Sequence, residues 1–77
     1  MNLEKLKSKL LEENIPENSY SLQGGLPNDR YCLEKTSYGW NVYYSERGSQ
    51  TELEHYESEE KACTDILNRL LRMKKYL

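Results

Sequence analysis

The sequence predicts an α+β domain in which a helix, an antiparallel meander of three to four strands and a second helix follow one another. Three observations predict it: apolar residues at helical spacing near both ends, aromatic and β-branched residues between them, and short turn segments. The 77 residues allow a single domain, 1–77. Because the turns are short, consecutive strands should be neighbours, and both helices should cover one face of the sheet.

The first helix is predicted over residues 2–14. Asn2 is a suitable N-cap for it. The helix is expected to end before Pro16, because the residue that precedes a proline is disfavoured in the helical conformation. Ile15 is then expected to fold back onto the core. The apolar face of this first helix consists of four leucines at helical spacing: Leu3, Leu6, Leu10 and Leu11.

Four strands are predicted between the helices, over residues 19–23, 30–35, 40–46 and 50–56. The third is the clearest, because it is rich in aromatic and β-branched residues. Residues 24–29 are predicted to form a loop, since glycine, proline and asparagine dominate them. Shorter turns are expected at 36–39 and 47–49.

The turn at 36–39 predicts which residues of the second and third strands share a face. It pairs Lys35 with Trp40, Leu33 with Val42, and Tyr31 with Tyr44, and these six should meet the helices. The opposite face would then be open to solvent. If Leu53 points inward, that open face carries Cys32, Glu34, Asn41, Tyr43, Ser45, Glu52, Glu54 and Tyr56. A slip of one residue at the 47–49 turn would invert the fourth strand.

The second helix begins after Ser58, which is a suitable N-cap, and Glu59 and Glu60 suit the positive end of its dipole. Its apolar stripe comprises Ala62, Cys63, Ile66, Leu67, Leu70 and Leu71, with Leu77 as an extension. The remaining positions are expected to face solvent, namely Lys61, Asp65, Asn68, Arg69, Arg72 and Lys75. We interpret the basic last turns as a solvated helix end, with a docking surface as the alternative.

The charge balance disfavours a nucleic-acid partner. The chain carries 11 basic and 13 acidic residues, so no strong positive field covers it. The acidic excess is greatest over residues 19–57, which hold three basic and six acidic residues. The middle of the chain is therefore the part best suited to a basic partner.

The sequence predicts no catalytic residues, no metal site and no cofactor. A cysteine nucleophile needs a base, and the one histidine, His55, lies on a strand that is not adjacent to that of Cys32. Cys63 lies on the apolar stripe of the second helix. Metal-ligand spacings such as C-x-x-C do not occur, and Gly24-Gly25 is not followed by a lysine. We therefore expect a protein that is not an enzyme.

The composition also predicts the compartment. The first 14 residues are too charged for a signal peptide, and no apolar run approaches the roughly 18 residues of a membrane span. We expect a cytoplasmic protein that does not bind a membrane, in which Cys32 and Cys63 are reduced and buried.

Tyrosines interleaved with carboxylates predict a partner-binding surface, because tyrosine supplies rigid contact area and carboxylates supply specificity for a basic partner. The alternative is the ordinary solvated side of a small sheet. A second alternative concerns Glu46 and Arg47, which could simply shape a turn in which Gly48 takes a positive φ. The predicted partner-binding residues are Glu34, Tyr43, Glu46, Arg47, Glu52, Glu54 and Tyr56.

Two segments resemble a known class. Residues 40–48 read WNVYYSERG, and residues 57–63 read ESEEKAC. Together, within residues 30–71, they resemble the small bacterial immunity proteins that accompany polymorphic toxins, including those of contact-dependent growth inhibition. Tyr56 departs from that pattern, which has Phe there. The resemblance implies a cytoplasmic, non-enzymatic inhibitor that binds one cognate toxin domain, often a nuclease, and blocks it by occlusion.

Two other functions compete with this one. A small adaptor or regulatory module could bind a host protein or itself through an exposed strand edge, for which Ser19 to Gln23 is the candidate, so the free protein would be a monomer or a weak dimer. The order of elements is also similar to that of double-stranded RNA-binding domains. Those need basic residues where this second helix begins with Ser58, Glu59 and Glu60, which disfavours RNA.

Overall fold

The computed structural model describes residues 1–75 and confirms the predicted helix, sheet and helix. The four strands form one sheet in the order β1-β2-β3-β4. No helix within the described residues is long and apolar enough to cross a membrane. The elements are α1 (Leu3–Glu12), a short 3-10 helix (Glu17–Ser19), β1 (Tyr20–Ser21), β2 (Arg30–Thr36), β3 (Gly39–Glu46), β4 (Ser49–Tyr56) and α2 (Glu59–Lys74).

Helix α1 begins as predicted, with the Asn2 side chain accepting a hydrogen bond from the Lys5 amide, but it ends two residues earlier than predicted. Asn14 takes a left-handed conformation, with φ of 55°. The Ile15 amide then bonds back to the Leu10 carbonyl and the Asn14 amide to the Leu11 carbonyl, the Schellman pattern. This ending, rather than Pro16, turns Ile15 into the core, as predicted.

Helix α2 is capped by Ser58, whose hydroxyl accepts a hydrogen bond from the Lys61 amide at 3.1 Å. The next residue joins the two helices, because the Glu59 carboxylate accepts a hydrogen bond of 2.8 Å from the Leu3 amide at the start of α1. One carboxylate therefore lies at two helix N-termini, where the dipoles favour negative charge. Leu77 lies outside the described residues.

The hydrophobic core lies between the two helices and one face of the sheet. Leu6 and Leu10 of α1 pack in the same cluster as the apolar stripe of α2, so both helices cover the predicted face. On the sheet side the cluster contains Leu33, Trp40 and Val42, which the 36–39 turn places on that face. Both cysteines are buried and free, as expected.

Strand β1 is shorter than predicted and pairs in parallel with β2, so the sheet is mixed. Tyr20 lies opposite Tyr31, and Ser21 opposite Cys32. The chain then continues beside β2, where the amide of Gly24 donates to the carbonyl of Leu33, before it reverses. Residues 24–29 therefore return beside the sheet and are not a simple hairpin turn.

This return segment corrects the prediction of an open second face. The Tyr43 hydroxyl donates a hydrogen bond of 2.7 Å to the carbonyl of Gly25, and Tyr43 is 0% exposed. Cys32 and Ser45, on the same face, are also fully buried. The sequence prediction failed here because strand alternation says which side a residue faces, but not whether a loop covers that side.

The register of β2 and β3 is the predicted one, with Lys35 opposite Trp40, Leu33 opposite Val42 and Tyr31 opposite Tyr44. The turn that sets it depends on Gly39. A Cβ atom there would lie 2.3 Å from the carbonyl oxygen of Tyr56, and its φ is +148°. Only glycine permits the end of β4 to approach β3 this closely.

The predicted orientation of β4 is wrong beyond its midpoint. Thr51 lies opposite Tyr44, whereas Glu54 lies opposite Val42, so two residues, Glu52 and Leu53, face Tyr43 alone. This is a β-bulge, and Glu52 has a left-handed φ of 54°. Because one extra residue inverts the alternation, Glu54 and Tyr56 point to the helix side.

We expect Gly39→Ala to lower the free energy of unfolding by about 3 kcal/mol or more, because the added Cβ overlaps backbone atoms at an unfavourable φ. Gly48→Ala is the matched control, since Gly48 also has a positive φ but open space around it. It should cost only about 1–2 kcal/mol. Urea unfolding of both variants measures the difference, and equal losses would contradict the close-approach argument.

Candidate functional site

A large opening lies between the edge strand β4 and the last turns of α2. It has a volume of about 850 Å³ and is open along one side. Helix α2 packs mainly on β2 and β3 and touches β4 less, so part of the helix side of β4 is left uncovered. We call this opening the β4–α2 groove, and it is lined by Tyr31, Glu52, Leu53, Glu54, Tyr56, Asp65, Arg69, Arg72 and Met73.

The Asp65 carboxylate holds the inner end of the β4–α2 groove together. Its Oδ2 accepts a hydrogen bond of 2.6 Å from the Tyr56 hydroxyl. It also accepts two bonds from Arg69, with Nε to Oδ1 at 3.0 Å and Nη2 to Oδ2 at 3.2 Å. Strand β4 is therefore fastened to α2 through one side chain, which explains why a tyrosine is useful at position 56.

Arg69 is buried, which corrects the prediction that it faces solvent. It is 8% exposed, and Asp65 engages one edge of its guanidinium group. The remaining nitrogen, Nη1, is buried without a hydrogen-bond partner in residues 1–75. An unpaired donor on a buried cation is costly, so this atom is the least satisfied group of the groove.

The strand wall of the groove carries carboxylates. Glu52 and Glu54 are both exposed, and neither takes part in an ion pair within residues 1–75. Glu52 holds its carboxylate there from the strained left-handed conformation of the bulge. Between them Leu53 is 47% exposed, instead of forming the inward apolar centre of the strand.

Tyrosine rings extend the groove towards β2 and β3. The rings of Tyr31 and Tyr44, which lie opposite each other, have centroids 4.8 Å apart at 59°. The hydroxyl of Tyr44 contacts Asp29 at 3.4 Å. Burial is the main cause that raises the pKa of Tyr44, so this ring remains neutral at physiological pH.

The structure brings together three of the seven predicted partner-binding residues. Glu52, Glu54 and Tyr56 line the β4–α2 groove. Glu34 lies on the opposite face, where it accepts a 3.4 Å hydrogen bond from Asn41. Tyr43, which is fully buried, is not available to a partner.

Glu46 and Arg47 lie at the exposed tip of the β3–β4 hairpin, away from the groove lining. Glu46 lies opposite Ser49, so the connection has two residues, Arg47 and Gly48. Both have positive φ, of 50° and 79°, as a type I′ turn requires. The geometry therefore favours a structural role for Arg47-Gly48, with Gly48 in the conformation that the sequence predicted.

The cysteines and the histidine do not form a reactive pair. Asn41 lies opposite His55 on β4, whereas Cys32 lies on β2, so β3 separates the two. Burial raises the pKa of the Cys32 thiol and that of the Cys63 thiol, which disfavours the reactive thiolate. Residues 1–75 contain no group of three side chains placed to hold a metal ion.

The groove also contains residues that the sequence reasoning missed. Asp65, Arg69 and Arg72 were assigned to the solvated face of α2, yet all three line the groove. The four-residue spacing of Asp65 and Arg69, which puts an acid and a base on one side of a helix, was the available signal. It could not show that this side of α2 meets β4.

Searches with protein-family models, among curated proteins and among solved structures found no match to this chain.

We expect Tyr56→Phe to lower the free energy of unfolding by about 1 kcal/mol at pH 7, because it removes one hydrogen bond to a carboxylate. That bond is the main cause that raises the pKa of Tyr56 to about 12, above the ordinary value of 10. The stabilisation is therefore complete below pH 10 and is lost as the pH rises from 10 to 12.

The difference between Tyr56→Phe and the wild type should accordingly shrink over that pH range. Urea unfolding at several pH values measures it. Tyr38→Phe is the matched control, because Tyr38 is 85% exposed, and its stability should follow that of the wild type. A constant difference between Tyr56→Phe and the wild type up to pH 12 would contradict the assigned hydrogen bond.

Proposed function

We propose that this chain is an immunity protein that binds one cognate bacterial toxin domain in the cytoplasm and neutralises it by occlusion, without catalysis. The observation that carries the proposal is the acidic edge strand. Residues 49–55 of β4 are all exposed, and the Glu52 and Glu54 carboxylates are free of ion pairs in residues 1–75. The likeness of residues 40–48 and 57–63 to immunity proteins supports the same function.

Electrostatics makes such a strand suitable for a basic partner. A nuclease toxin binds an anionic substrate and tends to be basic there, so an acidic inhibitor can occupy the same surface. Glu57 follows β4 directly and Glu46 precedes it, and both are also exposed. Four carboxylates therefore accompany the β3–β4 hairpin, against one arginine, Arg47, at its tip.

The conformation of Glu52 further supports a binding role for β4. Glycine would relieve the strain at a φ of 54°, yet the position holds a glutamate. Strained residues are concentrated at functional sites, where the side chain is worth more than the lost stability. Glu52 is therefore the residue of β4 that we assign most directly to partner recognition.

Co-expression tests the proposal. The C-terminal domain encoded by the open reading frame directly upstream is expressed under tight control in a bacterium, with and without this chain, and survivors are counted. We expect toxicity that this chain relieves, and co-purification of the two proteins. Toxicity without rescue, or an upstream domain that is harmless, would contradict the immunity function.

With that partner in hand, we expect Glu52→Lys/Glu54→Lys to slow association by about tenfold or more at low salt, since charge pairs at an interface act mainly on the association rate. The effect should fall as ionic strength rises. Stopped-flow or surface-binding kinetics at two salt concentrations measures it.

The matched control for this charge reversal is Glu12→Lys/Glu17→Lys, which changes the net charge equally at exposed positions on α1 and the 3-10 helix. It should slow association much less. Equal slowing by both double variants would mean that net charge, rather than the β4 surface, governs association.

The second candidate function is a self-associating adaptor, favoured by the eight-residue unpaired edge of β4 and not by the short strand β1. Pairing of β4 with its own copy would bring Glu52 and Glu54 of both chains together, and like charges in paired strands are destabilising. We therefore expect a monomer in sedimentation at high micromolar concentration. A dimer that Glu52→Gln/Glu54→Gln strengthens, because it removes that repulsion, would favour the adaptor instead.

A further inference from the structure

The α2 side of the β4–α2 groove, which we call the helix wall, consists of Asp65, Arg69, Arg72 and Met73. We propose that this wall binds a carboxylate side chain, an Asp or Glu supplied by the protein partner. Arg69 and Arg72 would hold it. This inference deepens the proposed function and rests on it for the identity of the partner. The strand wall would bind basic residues of that partner, and the helix wall would bind an acidic residue beside them.

The first observation is the unsatisfied Arg69 guanidinium group. It presents five N–H donors in a planar fork. Asp65 takes the edge formed by Nε and Nη2, which leaves the edge formed by Nη1 and the second N–H of Nη2. Nη1 is buried without a partner in residues 1–75, although Arg69 lines an open groove. A second carboxylate matches this free edge in geometry as well as in charge.

The second observation is that another guanidinium group lines the same groove. Arg72 follows Arg69 by three residues on α2, a spacing that puts both on one side of the helix. It is exposed and forms no ion pair within residues 1–75. The helix wall therefore contains two cations and one carboxylate, Asp65, which Arg69 already uses.

The shape and chemistry of the groove favour a side-chain carboxylate over an inorganic anion. Its sides include the rings of Tyr31 and Tyr56 and the flexible Met73, which suit the methylene groups of a Glu or Asp side chain. Glu52 and Glu54 across the groove would repel the greater charge of a phosphate. Because Nη1 is buried, the proposed contact requires one of the long side chains that border the groove to change rotamer.

Glu54 is the residue of this chain that could itself bind the two arginines in place of a partner, because it lies on the same side of the sheet as α2. Its carboxylate does not pair with either arginine, although both line the same groove. Like Glu52, it belongs to the strand wall, whose charge is opposite to that of the helix wall. A ligand that carries a carboxylate beside a basic residue would therefore satisfy both walls at once.

The test uses the full chain, labelled with ¹⁵N, and observes the arginine side-chain resonances by NMR. The probe is acetyl-glutamate amide, and its isostere acetyl-glutamine amide is the matched control at equal ionic strength. We expect a saturable shift of the Arg69 and Arg72 signals with the glutamate probe, with a dissociation constant on the order of millimolar, and none with the glutamine probe. N-acetylglycine, a main-chain carboxylate, should bind more weakly because it lacks the methylene groups.

Variants locate the binding. Arg72→Gln, at an exposed position, should fold normally and weaken binding by about fivefold, the loss of one exposed ion pair. Lys61→Gln is the control, since Lys61 is also an exposed cation of α2 but does not line this groove. A substitution of Arg69 alone is not a suitable test, because it leaves the partly buried Asp65 carboxylate without its partner. The double variant Asp65→Asn/Arg69→Met removes both members of the ion pair. It should abolish binding, and a dispersed amide spectrum would show that it still folds.

Four results would overturn the inference. The first is an equal shift of the same signals by the glutamate and glutamine probes, and the second is tighter binding of phosphate than of the glutamate probe. The third is a loss of binding in Lys61→Gln as large as that in Arg72→Gln. The fourth is a shift of the Arg69 signals by Glu54→Gln in the protein alone, which would show that Glu54 already occupies the site.

The probe experiment needs no toxin, so its failure can be told apart from failure of the immunity function. A chain that rescues cells but ignores the glutamate probe would keep the function and lose this site. A chain that binds the probe but rescues nothing would do the reverse. With a partner in hand, Asp65→Asn/Arg69→Met, which removes the buried guanidinium group, should raise the dissociation rate, whereas Glu52→Lys/Glu54→Lys mainly lowers the association rate.

Discussion

The β-bulge at Glu52 and Leu53 is the constraint on which the rest of the candidate site depends. Without the extra residue, Glu54 and Tyr56 would face away from the helices. The bulge turns both inward, and Tyr56 then reaches Asp65 at 2.6 Å. Asp65 in turn orients Arg69, whose burial makes the inner end of the groove. The one-residue bulge in the edge strand β4 therefore determines how Asp65 and Arg69 of α2 are arranged in the groove.

The elements that the sequence predicted well are those fixed by neighbouring residues. Asn2 and Ser58 cap their helices through bonds to amides three residues along the chain, and the length of the turn at 36–39 is enough to predict the β2–β3 register. The bulge carries no such signal, because its left-handed residue is Glu52 rather than a glycine. The prediction that Tyr43 is exposed failed for another reason. The loop that follows β1 covers Tyr43, and the alternation of residues along a strand contains no information about the course of a distant loop.

Arg69 shows the same limit at the level of charge. Long cationic side chains are mostly solvated, so a basic residue next to an apolar stripe is ordinarily placed at the surface. In this protein Arg69 lies in the groove beside Tyr56, at the end of β4. Asp65, one turn earlier on α2, compensates the charge of Arg69. Of the groove, the sequence therefore identified the strand wall, through its exposed carboxylates, but not the helix wall.

A pair of walls with opposite charge constrains a partner more than the net charge of −2 suggests. An acidic strand alone would accept any basic surface, since charge attraction acts at a distance and discriminates little. In the proposed complex, Arg69 would discriminate at contact, because its buried unpaired donor gains only from an acceptor in the right position and remains costly otherwise. Under this proposal, β4 would attract the partner and α2 would select it, and the unsatisfied nitrogen of Arg69 is the feature that makes the selection possible.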